Sequence, residues 1–211
     1  MSLTLLVASS NQHKLREFNH IFAQLPLTLL PFTEHPSTHS LIVEEKENTF
    51  SENAIQKARL IAEKGQIITL ADDSGLEVDA LDGKPGVRSA RFAHEHASDA
   101  ENRLTLWTAL SAKCPSSLPS NFFPARFRCV LAIVDPASPH TPHIFEGACE
   151  GHVTLTPSGT HGFGYDPMFT PLGAEQTFAE LSLTQKMKLS HRGAALQRLI
   201  PWLQSYVLSH S

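Results

Sequence analysis

The run Ile67-Ile68-Thr69-Leu70 is apolar and rich in β-branched residues, and the segment Ala71 to Arg91 that follows it opens on two carboxylates, Asp72 and Asp73. A short apolar run of this kind reads as a buried strand, so the acids are expected where a sheet ends. Side chains alternate faces along a strand, which sends Asp72 and Asp73 in opposite directions and lets only one face a given cleft. Ser74-Gly75 is expected to turn the chain, glycine permitting a positive φ. Asp79, Asp82, Lys84-Pro85-Gly86, Arg88 and Arg91 follow closely. One segment thus holds acids suited to a divalent cation and bases suited to an anion. Adjacent acids on a loop have a plainer reading too, as a solvated turn.

With 211 residues, 41% of them hydrophobic and 18% charged, the chain is long enough for one well-buried core or two lobes sharing a cleft. A single α/β unit over residues 1–211 is the expectation. No apolar run of about 18 residues is available to span a bilayer, and the opening MSLTLLVASS lacks a basic region, so neither a membrane partner nor a secretory leader is expected. Three cysteines without a CxxC pair argue against a disulfide framework or thiolate zinc site, and fit a reducing cytoplasm. A net charge of −4 without basic blocks argues against a nucleic-acid partner. His94-Glu95-His96, the one compact histidine pair, lacks a third ligand at suitable spacing.

Leu3 to Ala8 reads as a first strand and Lys14 to Leu25 as a helix, with Leu15, Phe18, Ile21, Phe22 and Leu25 on one stripe. Between them, Ser9-Ser10-Asn11-Gln12-His13-Lys14 joins a strand to a helix N-terminus. Unpaired amides and the helix dipole favour phosphate there, and Lys14 adds charge, although Ser or Asn can equally cap the helix. Leu27 to Phe32 reads as a second strand. Thr49-Phe50-Ser51-Glu52 has capping-box spacing ahead of a helix whose apolar face is Phe50, Ala54, Ala58, Ile61 and Ala62, with Lys57 able to reach over one side.

Ser98 to Glu101 repeats the capping pattern before a helix carrying Leu104, Trp107 and Leu110. Cys114 to Pro124 reads as a connection, Arg126 to Val134 as a strand, and His143 to Ala148 as its hairpin partner, with Gly151 to Leu155 as a further strand. In His161-Gly162-Phe163-Gly164-Tyr165-Asp166-Pro167, two aromatics separated by glycine either face a planar ligand or pack beneath a turn. Lys186 and Lys188 precede Ser190, an N-cap for a helix with His191 and Arg192 in its first turn and Pro201 as a kink.

SSNQHK, TFSENAIQKA, ADDSGLEVDAL, GKPGVRSARFA, ARFRCVLAIV, FEGACEG, GFGYDPMF, TFAEL and KMKLSHRGAAL stand in the order seen in the inosine triphosphate pyrophosphatase family. The chain resembles that family from about Leu3 to Leu199. The resemblance implies an elongated mixed β-sheet with flanking helices, two lobes around a central cleft, and a homodimer. It implies Mg2+-dependent hydrolysis of deaminated purine nucleoside triphosphates (ITP, dITP, XTP) to the monophosphate and pyrophosphate. By position, Asp73 resembles the general base and a metal ligand, and Glu44 the second acid at the metal, with Glu45 as the alternative. Ser9, Ser10, Asn11, Gln12, His13, Lys14 and Ser74 resemble substrate-contacting positions, as do Phe163, Gly164, Tyr165, Asp166, Lys186, His191 and Arg192. Ser10 stands where a glycine is common, and Met187 where a small or polar residue is usual. A non-catalytic nucleotide-binding or sensing protein on the same scaffold is the competing reading.

Overall fold

The computed structural model describes residues 3–113 and 122–209. In chain order it contains β1 (Leu3–Val7), α1 (Gln12–Phe22), β2 (Leu27–Pro31), α2 (Phe50–Gly65), β3 (Thr69–Val78) and α3 (Asp99–Ser111). There follow β4 (Phe122–Val134), β5 (His143–Thr154), β6 (Phe169–Pro171), α4 (Leu183–Leu189) and α5 (His191–Ser209). The strands form a six-membered sheet in the order β2-β1-β3-β4-β5-β6. β1 runs parallel to β2, pairing Leu3 with Leu27, and parallel to β3, pairing Leu6 with Thr69. β5 and β6 are antiparallel. The fold is therefore α/β with a mixed central sheet flanked by helices.

Two compact units divide the chain. The first comprises residues 1–73, 129–146 and 195–211, and the second 74–128 and 147–194, so β3, β4, β5 and α5 each contribute to both. In the first unit, most of the helix stripes read from sequence is buried, but Ile21 is only half-buried and Leu25 lies beyond α1, which runs from Gln12 to Phe22 and not from Lys14 to Leu25. Leu15, Phe18 and Phe22 of α1 and Phe50, Ala54, Ala58, Ile61 and Ala62 of α2 all lie in the core, together with Leu5, Leu6 and Val7 of β1. The second unit centres on Leu76, Leu106, Leu110, Phe123, Phe127, Val153, Phe169 and Phe178.

Several sequence expectations are corrected. Ile67 and Ile68 precede the strand, and Ser74-Gly75 continues β3 through Val78 instead of turning the chain. The two acids therefore sit inside a strand and not at its end, because Leu76 and Val78 restore a buried apolar alternation beyond them. His143 to Thr154 is one strand where two were expected. Pro201 lies inside α5, which continues to Ser209 without restarting. The connection expected from Cys114 to Pro124 lies mostly outside the described residues. No helix among the described residues is long and apolar enough to cross a membrane.

α3 buries a different face from the one its spacing suggested: Leu106 is fully buried, whereas Leu104 is 64% exposed. Trp107 is also exposed, its indole N–H donating to the Leu155 carbonyl at 3.1 Å. Truncating Leu106 to Ala is expected to cost about 2 to 5 kcal/mol, while Leu104→Ala stays within about 0.5 kcal/mol. Urea unfolding of the two variants checks this assignment, and equal losses would contradict it.

Candidate active site

The residues singled out from sequence fall into two groups, one in each unit. In the first, Asn11 caps α1 with its side chain, accepting from the amides of His13 at 2.9 Å and Lys14 at 3.2 Å. The Asn11 amide in turn donates to Ser9 Oγ at 3.2 Å. The plainer cap reading thus accounts for two first-turn amides. Ser10 on this loop and Gln12 at the start of α1 are exposed. What the cap achieves is placement: it starts α1 so that Lys14 Nζ ion-pairs with Asp72 Oδ1.

Asp72 is 1% exposed, and its other oxygen accepts from Cys129 Sγ at 3.2 Å. Asp73 is 4% exposed, and its Oδ1 lies 3.6 Å from Lys57 Nζ. Lys57 is itself buried on α2 and donates to the Asp72 carbonyl at 2.7 Å and to Glu45 Oε1. Strand alternation separates the two carboxylates, each reaching a different lysine. Glu44, expected as the second acid, is exposed and pairs with Lys46 at 2.5 Å. Glu45 instead stands beside Lys57 and Asp73, because the loop ahead of Thr49 turns alternate side chains to opposite sides.

Burial pushes the Asp73 carboxyl up from its ordinary 3.8 to about 6, with Lys57 and Lys14 opposing and Glu45 and Asp72 reinforcing the shift. Asp73 Oδ2 is buried without a hydrogen-bond partner. A buried, unpartnered carboxylate oxygen is costly unless something binds it. A hard cation taking oxygen ligands meets that need, and Glu45, which shares Lys57 with Asp73, offers a further carboxylate. Among the described residues no group of three His, Cys, Asp or Glu side chains is assembled for a metal. Mg2+ commonly takes only one or two protein carboxylates and completes its shell with water and substrate phosphate, so these residues fit it.

The second group surrounds the loop 161–166. Asp166 is buried and its Oδ2 accepts from the Phe163 amide at 2.8 Å and from Lys186 Nζ at 2.6 Å. Gly162 has φ +74°, and a Cβ there would lie 2.0 Å from Asp166 Oδ2, so only glycine allows this closure. Lys186 Nζ stands 4.8 Å from the Phe163 ring centroid and Arg192 Cζ 5.9 Å from it. Arg192 is 1% exposed, with Nη2 donating to Ser74 Oγ at 2.8 Å. His191 is buried and stacks on Phe127 at 4.7 Å. Both residues lie buried in the first turn of α5.

Tyr165 differs from its expected role as a ligand face. It is buried, donating its hydroxyl to the Ser89 carbonyl at 2.9 Å, and burial raises its phenol pKa. Phe163 is the half-buried aromatic of the pair. Sequence reasoning left Lys57 and Cys129 out of the site. For Lys57 a signal existed: it falls in the apolar stripe of α2, between Ala54 and Ile61, where a lysine must be paired to be buried. Cys129 carried none, being one more apolar-sized residue in a core strand.

An α/β chain that buries adjacent acids on a central strand, each beside a lysine, and a second set of cations around an aromatic loop defines a class of phosphate-handling proteins. The chain belongs to the Ham1 family, whose sequence model matches residues 5–202. It is 45% identical over 195 residues to the dITP/XTP pyrophosphatase of Geobacter sulfurreducens, covering 92% of this chain and 94% of that one. The dITP/XTP pyrophosphatase of Halalkalibacterium halodurans is 41% identical over 198 residues, covering 94% and 97%. Among solved structures, a HAM1 protein from Coxiella burnetii superimposes with a TM-score of 0.82 at 38% identity, covering 99% of this chain and 100% of that one. The family resemblance drawn from the motifs is borne out.

The carboxyl of Asp73 makes a pH-dependent contribution to stability. Its raised pKa means that the folded chain holds a proton the unfolded chain loses between about pH 4 and 6, so stability falls as pH rises through that window. Asp73→Asn removes the buried charge. The variant is expected to gain about 1 to 3 kcal/mol on the parent between pH 4 and pH 7.5 in metal-free buffer. Urea unfolding at the two pH values measures this, and a pH-independent difference would contradict it.

Proposed function

We propose that this chain hydrolyses the triphosphates of deaminated purine nucleosides, ITP, dITP and XTP, to the monophosphate and pyrophosphate in a Mg2+-dependent reaction. The observation that carries the reading is the buried Asp73 carboxylate, with one oxygen toward Lys57 and the other unpartnered. Family membership supports the reaction class. When bound, Mg2+ supplies charge neutralisation at the phosphates, held by Asp73 and Glu45.

The remaining chemistry belongs to the side chains. In the metal-free chain burial raises the Asp73 pKa to about 6, so the carboxylate is mostly ionised at neutral pH, and in that form it can take a proton from attacking water. The water oxygen bonds to the α-phosphorus and the bond from that phosphorus to the bridging oxygen breaks. Pyrophosphate carries that oxygen away, and the water proton passes to Asp73. Lys14 and Lys57 bring positive charge to the phosphate end, where it offsets the charge gathered in phosphoryl transfer. Asp72 holds Lys14 in place.

The purine is the task of the second group. The 6-oxo group accepts where the adenine amino group donates, so donors from Lys186, His191 or Arg192 pair with one and meet another donor in ATP. An unpaired buried donor costs about 1 to 3 kcal/mol, and two such mismatches give discrimination from roughly tens-fold to ten-thousand-fold. Phe163 offers the flat apolar surface for the ring. The active form is a homodimer working in the cytoplasm.

Product analysis of ITP turnover with Mg2+ tests the reaction: IMP and pyrophosphate in equal amounts are expected, and orthophosphate or binding without turnover would reject it. Asp73→Asn is expected to lose about a hundredfold or more in kcat, the usual contribution of a positioned base, with the fold retained by circular dichroism. Activity within a few-fold of the parent would remove Asp73 from this role.

A further inference from the structure

The loop around Phe163 is held from outside by two residues of α3 that carry no role in the reading above. Gly164 has φ +59°, a left-handed conformation, between Phe163 and the buried Tyr165. Its N–H donates to Asp99 Oδ2 at 2.6 Å, and its carbonyl accepts from Arg103 Nη1 at 2.7 Å. Asp99 and Arg103 are four residues apart on one helix, so their side chains lie on the same face, one turn apart. The N–H belongs to the peptide joining Phe163 to Gly164 and the carbonyl to the peptide joining Gly164 to Tyr165. Both peptide planes flanking Gly164 are therefore fixed by charged partners.

The helix end that supplies this clamp is itself anchored. Ser98 and Glu101 form a reciprocal capping box, with the Ser98 amide donating to Glu101 Oε2 at 2.7 Å and the Glu101 amide donating to Ser98 Oγ at 3.3 Å. Asn102 ties α3 to the preceding segment, accepting from the Ala93 amide at 3.0 Å and donating to the Ala90 carbonyl at 3.0 Å. On the far side of Gly164, Tyr165 is pinned to Ser89 and Asp166 to Lys186. Rotation of the two peptides at Gly164 is the backbone freedom by which the Phe163 ring could move relative to Lys186 and Asp166. Glycine is the residue least able to restrict that rotation by itself.

We propose that Asp99 and Arg103 are positioning residues for base selectivity: they lock the Gly164 peptides so that Phe163 and the donors near it meet the purine in one geometry. This rests on the assignment of the 163–166 loop and Lys186 to the base. Neither residue touches the reacting atoms, so their loss acts on binding and discrimination more than on the chemical step. A hydrogen bond to a charged partner is commonly worth a factor of ten or more, and loosening the loop spreads that loss over the ligand contacts.

The test is steady-state kinetics on the full chain with dITP and dATP, for the parent, Arg103→Ala, Asp99→Ala, and the conservative variants Arg103→Lys and Asp99→Asn. Both alanine variants are expected to raise KM for dITP about tenfold, with kcat falling less than KM rises. The dITP over dATP preference is expected to drop by a similar factor, and Arg103→Lys and Asp99→Asn, which keep a donor and an acceptor, to recover part of it. A preference unchanged in all four variants would overturn the proposal, as would equal losses on both substrates that follow melting temperature alone. If Arg103→Ala fails to fold, Asp99→Asn and Arg103→Lys decide by the same ratio. A parent enzyme without any dITP preference would instead refute the base assignment on which the proposal stands.

Discussion

Two carboxylates in sequence on a buried strand cannot both remain charged without counter-ions, and the first unit is arranged around that constraint. Asp72 receives Lys14 and the Cys129 thiol, and Asp73 receives Lys57. The supply is uneven. Asp72 has partners on both oxygens, whereas Asp73 keeps one oxygen buried and unpartnered and a carboxyl pKa near 6. Removing an ion from water costs several kcal/mol, so an incompletely paired acid is unfavourable for folding and useful for chemistry.

The elements around β3 deliver those partners by ordinary local rules. Asn11 caps α1 and so sets the turn on which Lys14 projects. Thr49 caps α2, accepting from the Glu52 amide at 3.2 Å, and thereby fixes the helix on which Lys57 lies among alanines. Small residues at 54, 58 and 62 let that helix approach closely enough for a long side chain to reach the strand backbone. In the second unit, cations gather around Phe163 for a related reason. Lys186 is buried only because Asp166 receives it, and Gly162 leaves the room for that carboxylate.

What was legible in the residues was whatever depends on local pattern. The helix face of α2 and most of that of α1, the Ser98 capping box, the core strand at Arg126 to Val134 and the linked motifs all read correctly, since period and capping are set within a few residues. The extent of β3 did not, because Ser74-Gly75 resembles a turn until its continuation in Leu76 and Val78 is weighed. Choosing between Glu44 and Glu45 needed the backbone path of an irregular loop. Tyr165 and Phe163 look alike in sequence, and only packing sends one to Ser89 and leaves the other half-buried. α3 misled for a similar reason, as Leu104, Trp107 and Leu110 repeat at a spacing of three while the core takes Leu106 and Leu110.

Asp73 as a base with one oxygen held open is the central claim, and its own titration tests it most directly. Carbon-detected NMR of the aspartate side chains, with Asp73→Asn for assignment, follows this carboxyl from pH 3 to 8 in metal-free buffer and again with Mg2+. The account predicts a midpoint near 6 without metal that moves down when Mg2+ is added. A midpoint at or below the ordinary 3.8, insensitive to Mg2+, would contradict it.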